Sequence, residues 1–201
     1  MLHDPLLLRH LILWVWEAWA LYWLVSAIGN KATQRREPLS SRLAYVLPLV
    51  IGGVLLAWRR LPWADVLSLR LWPRSLILYW IGLAVLVAGL GFSVWARVHL
   101  GRNWSGAVTV KQGHELIRTG PYAYVRHPIY TGILTGVLGT VICSGTLRAA
   151  LAFVIIAVAL TRKLRAEEIL MRETFPDQYQ KYCEEVPALV PFTRLQRSVP
   201  R

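Results

Sequence analysis

The sequence predicts an all-α integral membrane protein of about five transmembrane helices, ending in a helical hairpin and short helices outside the bilayer. Three observations predict it. Hydrophobic residues make up 55% of the 201-residue chain and the mean hydropathy is +0.42, above the roughly 45–50% apolar share of soluble domains. Ten tryptophans and eight tyrosines suit the aromatic belts found at bilayer surfaces. The apolar residues gather into five runs, at 11–28, 43–58, 75–96, 128–147 and 149–161, with basic residues between them.

Each run has its own reading. The first is interrupted only by Glu17, an acid whose place inside a span is costly and functional by default, with packing against an inner partner the equal alternative. No small-residue cleavage site follows its apolar core, so it reads as a retained span rather than a signal peptide. The second, "LAYVLPLVIGGVLLAW", carries Pro48 inside. It and the fifth fall short of the roughly 20 residues of a full span, but flanking arginines can snorkel to the surface. The third and fourth contain no charge, and Gly132 and Gly136 form a GxxxG pattern that lets another helix approach closely; internal packing is the expected use. Only "SGTLR" separates the fourth run from the fifth, which predicts a tight hairpin. The fifth helix continues through "TRKLRAEEILMRETF", Pro176 breaks it, and "DQYQKYCEEVP" makes a second short helix. The ending "VPALVPF" is expected to lie back on the membrane surface. One membrane domain results, with three N-terminal spans over 1–96 and a second part over 97–192.

The formal net charge is +12. A nucleic-acid protein gathers such charge into a patch, whereas here it flanks apolar runs, so membrane lipids and not nucleic acid are the expected partners. Cys143 and Cys183 sit in an apolar run and a polar tail, which gives no disulfide framework, and the five histidines lack metal-ligand spacing. No phosphate-binding GK[ST] loop or G-x-S-x-G elbow occurs. With five spans, the first loop, third loop and tail share one side and hold 17 Lys and Arg, against 6 on the other. The positive-inside rule puts the third loop and tail in the cytoplasm and the N-terminus outside.

Those two cytoplasmic regions hold the unusual polar residues. In "RHPIY", Pro128 suits the first turn of a helix and biases His127 toward an extended backbone. His127 then sits at the mouth of the fourth span, where unpaired N–H groups and partial positive charge favour an anion. Tyr130 lies just inside. The plain alternative is an interfacial Arg-His-Tyr anchor. Upstream, "HELI" (His114, Glu115, Leu116, Ile117) reads as an extended segment beside a flat ring, or as a surface loop with two buried aliphatics. In "RKLRAEE", Glu167 and Glu168 lie one to two turns beyond the fifth span. They are either a solvated face with a Lys163–Glu167 pair, or a carboxylate reaching back to the third loop.

Taken together, "GHELIRTGPYAYVRHPIYTG", a helical hairpin, and "RAEEILMRETFPDQYQKYCEEVPALVPF" resemble the isoprenylcysteine carboxyl methyltransferase family, integral-membrane enzymes similar also to phospholipid methyltransferases. The resemblance covers roughly 97–192. It implies S-adenosylmethionine (SAM) as methyl donor, held without a Rossmann domain in a cytosol-facing pocket, and makes 97–192 the cofactor-binding core. It implies cofactor contacts from His114, Glu115, Leu116, Ile117, Tyr122, His127, Pro128, Ile129, Tyr130 and Glu167. Where the family often has an arginine near the acceptor, this chain has Lys163, which lacks the bidentate fork; Arg165 is the substitute considered. The acceptor implied is a lipophilic or lipid-modified molecule resident in the membrane. Two alternatives are an NADPH-dependent membrane reductase of the sterol-reductase type and a noncatalytic membrane protein of the same architecture.

Overall fold

Six helices and one short β-ribbon are seen in the computed structural model, which describes residues 5–28, 33–36, 38–57, 65–101, 104, 109–111, 116–191 and 193. The helices are α1 (Pro5–Ser26), α2 (Leu39–Ala57), α3 (Leu76–Leu100), α4 (Pro128–Ser144), α5 (Leu147–Thr174) and α6 (Pro176–Glu185). Their limits follow local chemistry. Ser75 caps α3 by accepting the Leu78 N–H at 3.4 Å, and Pro128 opens α4, where its missing N–H is no loss. Gly145, in the left-handed region at φ 61°, ends α4, and the Thr146 hydroxyl oxygen accepts the Ala149 N–H at 3.4 Å to begin α5. A two-residue turn therefore joins the hairpin. The fifth helix is one continuous rod of 28 residues, about 42 Å long, that carries "RKLRAEE" well past its apolar half.

The helices pack as an antiparallel series. The third and fourth meet along a glycine seam: a Cβ on Gly132 would lie 2.5 Å from the Gly89 carbonyl oxygen, and one on Gly89 would lie 2.5 Å from the Gly136 nitrogen. The expected internal use of the GxxxG pattern is thus seen in the contact of α4 with α3. The first helix runs parallel to α3: the Tyr79 hydroxyl donates to the Leu8 carbonyl, Trp19 Nε1 to Ser93 Oγ at 2.8 Å, and Arg97 to the Ser26 carbonyl. Trp16 Nε1 also donates to Thr140 Oγ1 of α4 at 3.1 Å. The second helix lies against α5, where Arg148 donates to the Leu55 and Leu56 carbonyls. A cavity lies between these two groups of helices, walled on one side by α1 and on another by α2.

The connections sort into two ends. At one end, β1 (Thr33–Arg36) pairs antiparallel with β2 (Thr109–Lys111), Thr33 opposite Lys111 and Arg36 opposite Thr109, with an irregularity between Thr33 and Arg35. This ribbon, absent from the all-α expectation, ties the first connection to the third. At the other end, the Leu71 N–H donates to the Gly145 carbonyl at 2.7 Å and the Leu147 N–H to the Leu69 carbonyl at 2.9 Å, tying the second connection to the fourth. By length and apolarity, α3 is the one helix among the described residues that meets the requirement for crossing a membrane; Ser41–Ala57 and Pro128–Ser144 are apolar but shorter.

Candidate functional site

The start of α4 and the far half of α5 build the polar end of the cavity. His127 caps α4 with φ −123° and ψ 62°, the non-helical backbone that a following proline favours. The backbone N–H groups of Arg126 and His127 donate to the Pro187 and Ala188 carbonyls at 2.9 and 3.0 Å, and Thr131 Oγ1 donates to the Leu189 carbonyl at 2.7 Å. The segment after α6 folds over the mouth of α4, and its carbonyls take the N–H groups that just precede the helix. Buried backbone donors take whatever acceptor the chain can bring. Side chains complete the mouth.

Those side chains form a chain of contacts across the two helices. The His127 imidazole lies between adjacent acids, with Nδ1 3.5 Å from Glu167 Oε2 and Nε2 3.4 Å from Glu168 Oε1. The Tyr130 hydroxyl donates to Glu167 Oε1, and the Tyr130 ring stacks on His127 at 5.6 Å and 4°. On the far side, Arg126 Nε and Nη2 both reach Glu168 Oε1, at 3.0 and 2.5 Å, and Arg172 Nη2 lies 3.4 Å from Glu168 Oε2. Consecutive helical residues point about 100° apart. Glu167 accordingly lines the cavity, while Glu168 is buried behind it, 8% exposed.

Burial and pairing compete over these charges. Burial alone would push the His127 pKa down, but its contacts with Glu167 and Glu168 hold it above the ordinary value. Burial would raise both acids. For Glu167, the His127 contact, the Lys163 charge and the Tyr130 hydroxyl outweigh it and lower the pKa. For Glu168, His127 and Arg126 bring it down to about 2. At neutral pH the site holds two ionised carboxylates with an imidazole of raised pKa between them.

The cavity has a volume of about 710 Å³, within the roughly 300–1,000 Å³ typical of small-molecule sites. Leu116, Ile117, Tyr122, His127, Pro128, Ile129, Tyr130, Lys163 and Glu167 all line it. Lys163 Nζ sits 5.5 Å from the ring centroids of both Tyr45 and Tyr130, between the polar end and the apolar part. Arg165 is exposed and off the cavity wall; its position two residues along α5 turns it away from Lys163. His114 and Glu115 lie outside the described residues.

Sequence reasoning left several residues unassigned. Glu168 and Arg126 were visible in the motifs, but nothing in the order of residues said that they pair. Tyr179 and Tyr182 also line the cavity; their i,i+3 spacing in "DQYQKYC" was the available signal. The buried Tyr182 hydroxyl donates to the Tyr122 carbonyl at 2.6 Å. Tyr182→Phe leaves that carbonyl unpaired and is expected to cost about 1–3 kcal/mol, read as a lower thermal unfolding midpoint in detergent.

The chain is 33% identical over 99 residues to a protein-S-isoprenylcysteine O-methyltransferase of Schizosaccharomyces pombe, covering 48% of this chain and 42% of that one. It is 36% identical over 124 residues to the nickel-cobalt-cadmium resistance protein NccN of Alcaligenes xylosoxydans xylosoxydans, covering 59% and 55%. The chain thus spans about half the length of these relatives. Its fold is similar to that of the eukaryotic intramembrane Ras methyltransferase ICMT, with TM-score 0.54 and 23% identity over 78% of this chain and 54% of the other. The family model for isoprenylcysteine carboxyl methyltransferases matches residues 80–173, which takes in the α3–α4 seam, the "RHPIY" mouth and both acids. This match favours the methyltransferase reading over the reductase alternative. Through that helical core, the chain is similar to the isoprenylcysteine carboxyl methyltransferase (ICMT) family.

Proposed function

We propose that the protein transfers a methyl group from SAM to a lipophilic acceptor resident in the membrane, of isoprenylcysteine-carboxyl or phospholipid type. Five helices, α1 to α5, cross the bilayer, with the N-terminus outside and the polar end of the cavity open to the cytoplasm. The pairing of the first connection with the third, and of the second with the fourth, supports that threading. The observation that carries the function is continuity: a cup of carboxylate, imidazole and phenol opens within one cavity into an apolar slot. One molecule with a polar nucleoside and another with an apolar body can share it.

The residues present fit SAM. Glu167 supplies an ionised acceptor for ribose hydroxyls or an ammonium, His127 a cationic donor for a carboxylate, Tyr122 and Tyr130 hydroxyls and aromatic faces, and Leu116 and Ile117 apolar contact for a purine ring. Bound there, SAM would supply an electrophilic sulfonium methyl. The chain's own work is to bind and align. Holding two reactants in register is worth roughly 7–11 kcal/mol of barrier. Lys163, at the junction of cup and slot, draws an anionic acceptor group toward the cup. A carboxylate acceptor needs no general base, whereas an amine would have to lose its proton first. Arg165 meets an acceptor only outside the cavity, at the membrane surface.

Titration of the purified protein with SAM and with NADPH tests the reading. SAM is expected to bind and NADPH not to. Glu167→Ala and His127→Ala are each expected to weaken SAM binding at least 100-fold while the protein stays folded; wild-type affinity in both overturns the assignment. The slot has a separate test. A Cβ on Gly53 meets nothing within 4 Å although Gly53 lines the cavity, so Gly53→Leu should fill the slot without strain. Transfer of tritiated methyl into a native membrane extract is expected to fall at least tenfold in this variant, with SAM affinity unchanged. The labelled lipid from the wild-type reaction identifies the acceptor.

A further inference from the structure

We propose that Glu17 is a second polar anchor in the slot, taking an ammonium group carried on the apolar body of the ligand. The inference rests on the reading above, in which α1 spans the membrane and the slot receives the acceptor. Glu17 lies near the middle of α1. Leu13, Glu17 and Ala20 follow the i, i+4, i+7 spacing of one helix face, and all three line the cavity. Leu49, Gly53 and Leu56 of α2 also line it, so the carboxylate belongs to an otherwise apolar wall.

Depth is set by its neighbour. Trp16 is tied to Thr140, ten residues along α4 from Tyr130, which places Glu17 about 15 Å of helix rise below the cup. At that level other polar groups are satisfied inside the protein: Thr140 accepts from Trp16 and donates to the Gly136 carbonyl, and Ser93 accepts from Trp19 and donates to the Leu90 carbonyl. Among the described residues, Glu17 has no hydrogen bond or ion pair. A carboxylate at membrane depth is stable only when something compensates it. Among the described residues no cation pairs with Glu17, and the face that carries it, exposed in the structure, lines the cavity.

The class of ligand follows from charge. A metal ion needs several oxygen or nitrogen ligands, and one carboxylate among aliphatics and indoles does not supply them. An ammonium needs one good acceptor and leaves the rest of the ligand apolar. The cup differs in holding cations, Arg126, His127 and Lys163, beside its carboxylates Glu167 and Glu168. Such a cavity orients a ligand with its anionic or neutral acceptor end upward and its ammonium below.

Twelve-carbon probes in lipid nanodiscs test this by tryptophan quenching, since Trp16 and Trp19 flank Glu17. A brominated dodecylammonium is compared with the matching brominated dodecanol, without SAM. The wild type is expected to bind the ammonium probe at least tenfold more tightly than the alcohol. Glu17→Gln, and independently Glu17→Ala, should remove that preference and leave alcohol binding unchanged. Equal preference in wild type and either folded variant overturns the anchor. SAM affinity is measured in the same nanodiscs. Its retention in the variants shows that the cup is folded. Its absence in the wild type overturns the methyltransferase reading, while the ammonium preference still decides the role of Glu17.

Discussion

Replacing Glu168 with alanine is expected to destabilise the protein by about 3–5 kcal/mol, the cost of removing one partner from a buried charge pair. Glu168 is the common acceptor for Arg126, His127 and Arg172. Without it, the half-buried Arg126 keeps its bonds to the Cys183 and Val186 carbonyls, and the imidazole loses the anion that holds its Nε2 side. Glu168→Gln keeps the shape and is expected to recover part of the loss. The pH dependence of stability is a second readout. The folded-state pKa of Glu168, about 2, lies below its ordinary 4.5, so its contribution is present above pH 4.5 and is lost as pH falls toward 2. The pKa of His127 is raised above 6.5, so its contribution is full below pH 6.5 and fades as pH rises through the elevated value. The cluster thus stabilises most between those limits. In Glu168→Ala the acid limb should flatten, leaving Glu167 as its remaining source. An alanine variant with wild-type unfolding and an unchanged acid limb would show that these groups are not coupled.

Helices α1 to α5 were legible because each contains an apolar run with its own punctuation. Gly145 and Thr146 mark the hairpin turn, Pro128 and Pro176 mark helix starts, and the glycines of α4 announce a close neighbour. The meeting of Tyr130 with Glu167 was also readable, since a hairpin returns α5 to the level where α4 began. Finer placement was not. Glu167 and Glu168 are neighbours of the same type, and only the rotation of α5 against α4 decides that one faces the cavity and the other Arg126. The ribbon of "TQRR" on "TVK" has no apolar alternation to betray it. The strap at 186–189 is bound through backbone carbonyls, which any sequence possesses. The walls that α1 and α2 give to the cavity carry no motif, so Glu17 stood out in the sequence as a charge out of place and acquired a ligand-facing position only in three dimensions.

Gly132→Leu is expected to be the most damaging apolar substitution, because it strikes the seam that sets the height of α4. A Cβ at this position would lie 2.5 Å from the Gly89 carbonyl oxygen and 2.6 Å from the Ser93 nitrogen, both backbone atoms, so no side chain can swing aside. Overpacking of a tight core costs about 1–3 kcal/mol and sometimes more. For a chain of this size each kcal/mol lowers the unfolding midpoint by roughly 2–4 °C, so a fall of about 10 °C is expected in detergent. Gly91→Leu is the control: it lies on α3 where an added Cβ meets nothing within 4 Å, and it should change stability by no more than about 0.5 kcal/mol. The functional consequence follows from position. His127 is the cap of α4, so separating α4 from α3 moves the imidazole relative to Glu167 and Glu168, and SAM affinity should fall together with the midpoint. If Gly132→Leu unfolds like the control, α3 and α4 do not touch at these glycines, and the juxtaposition of His127 with the acids of α5 loses its mechanical support.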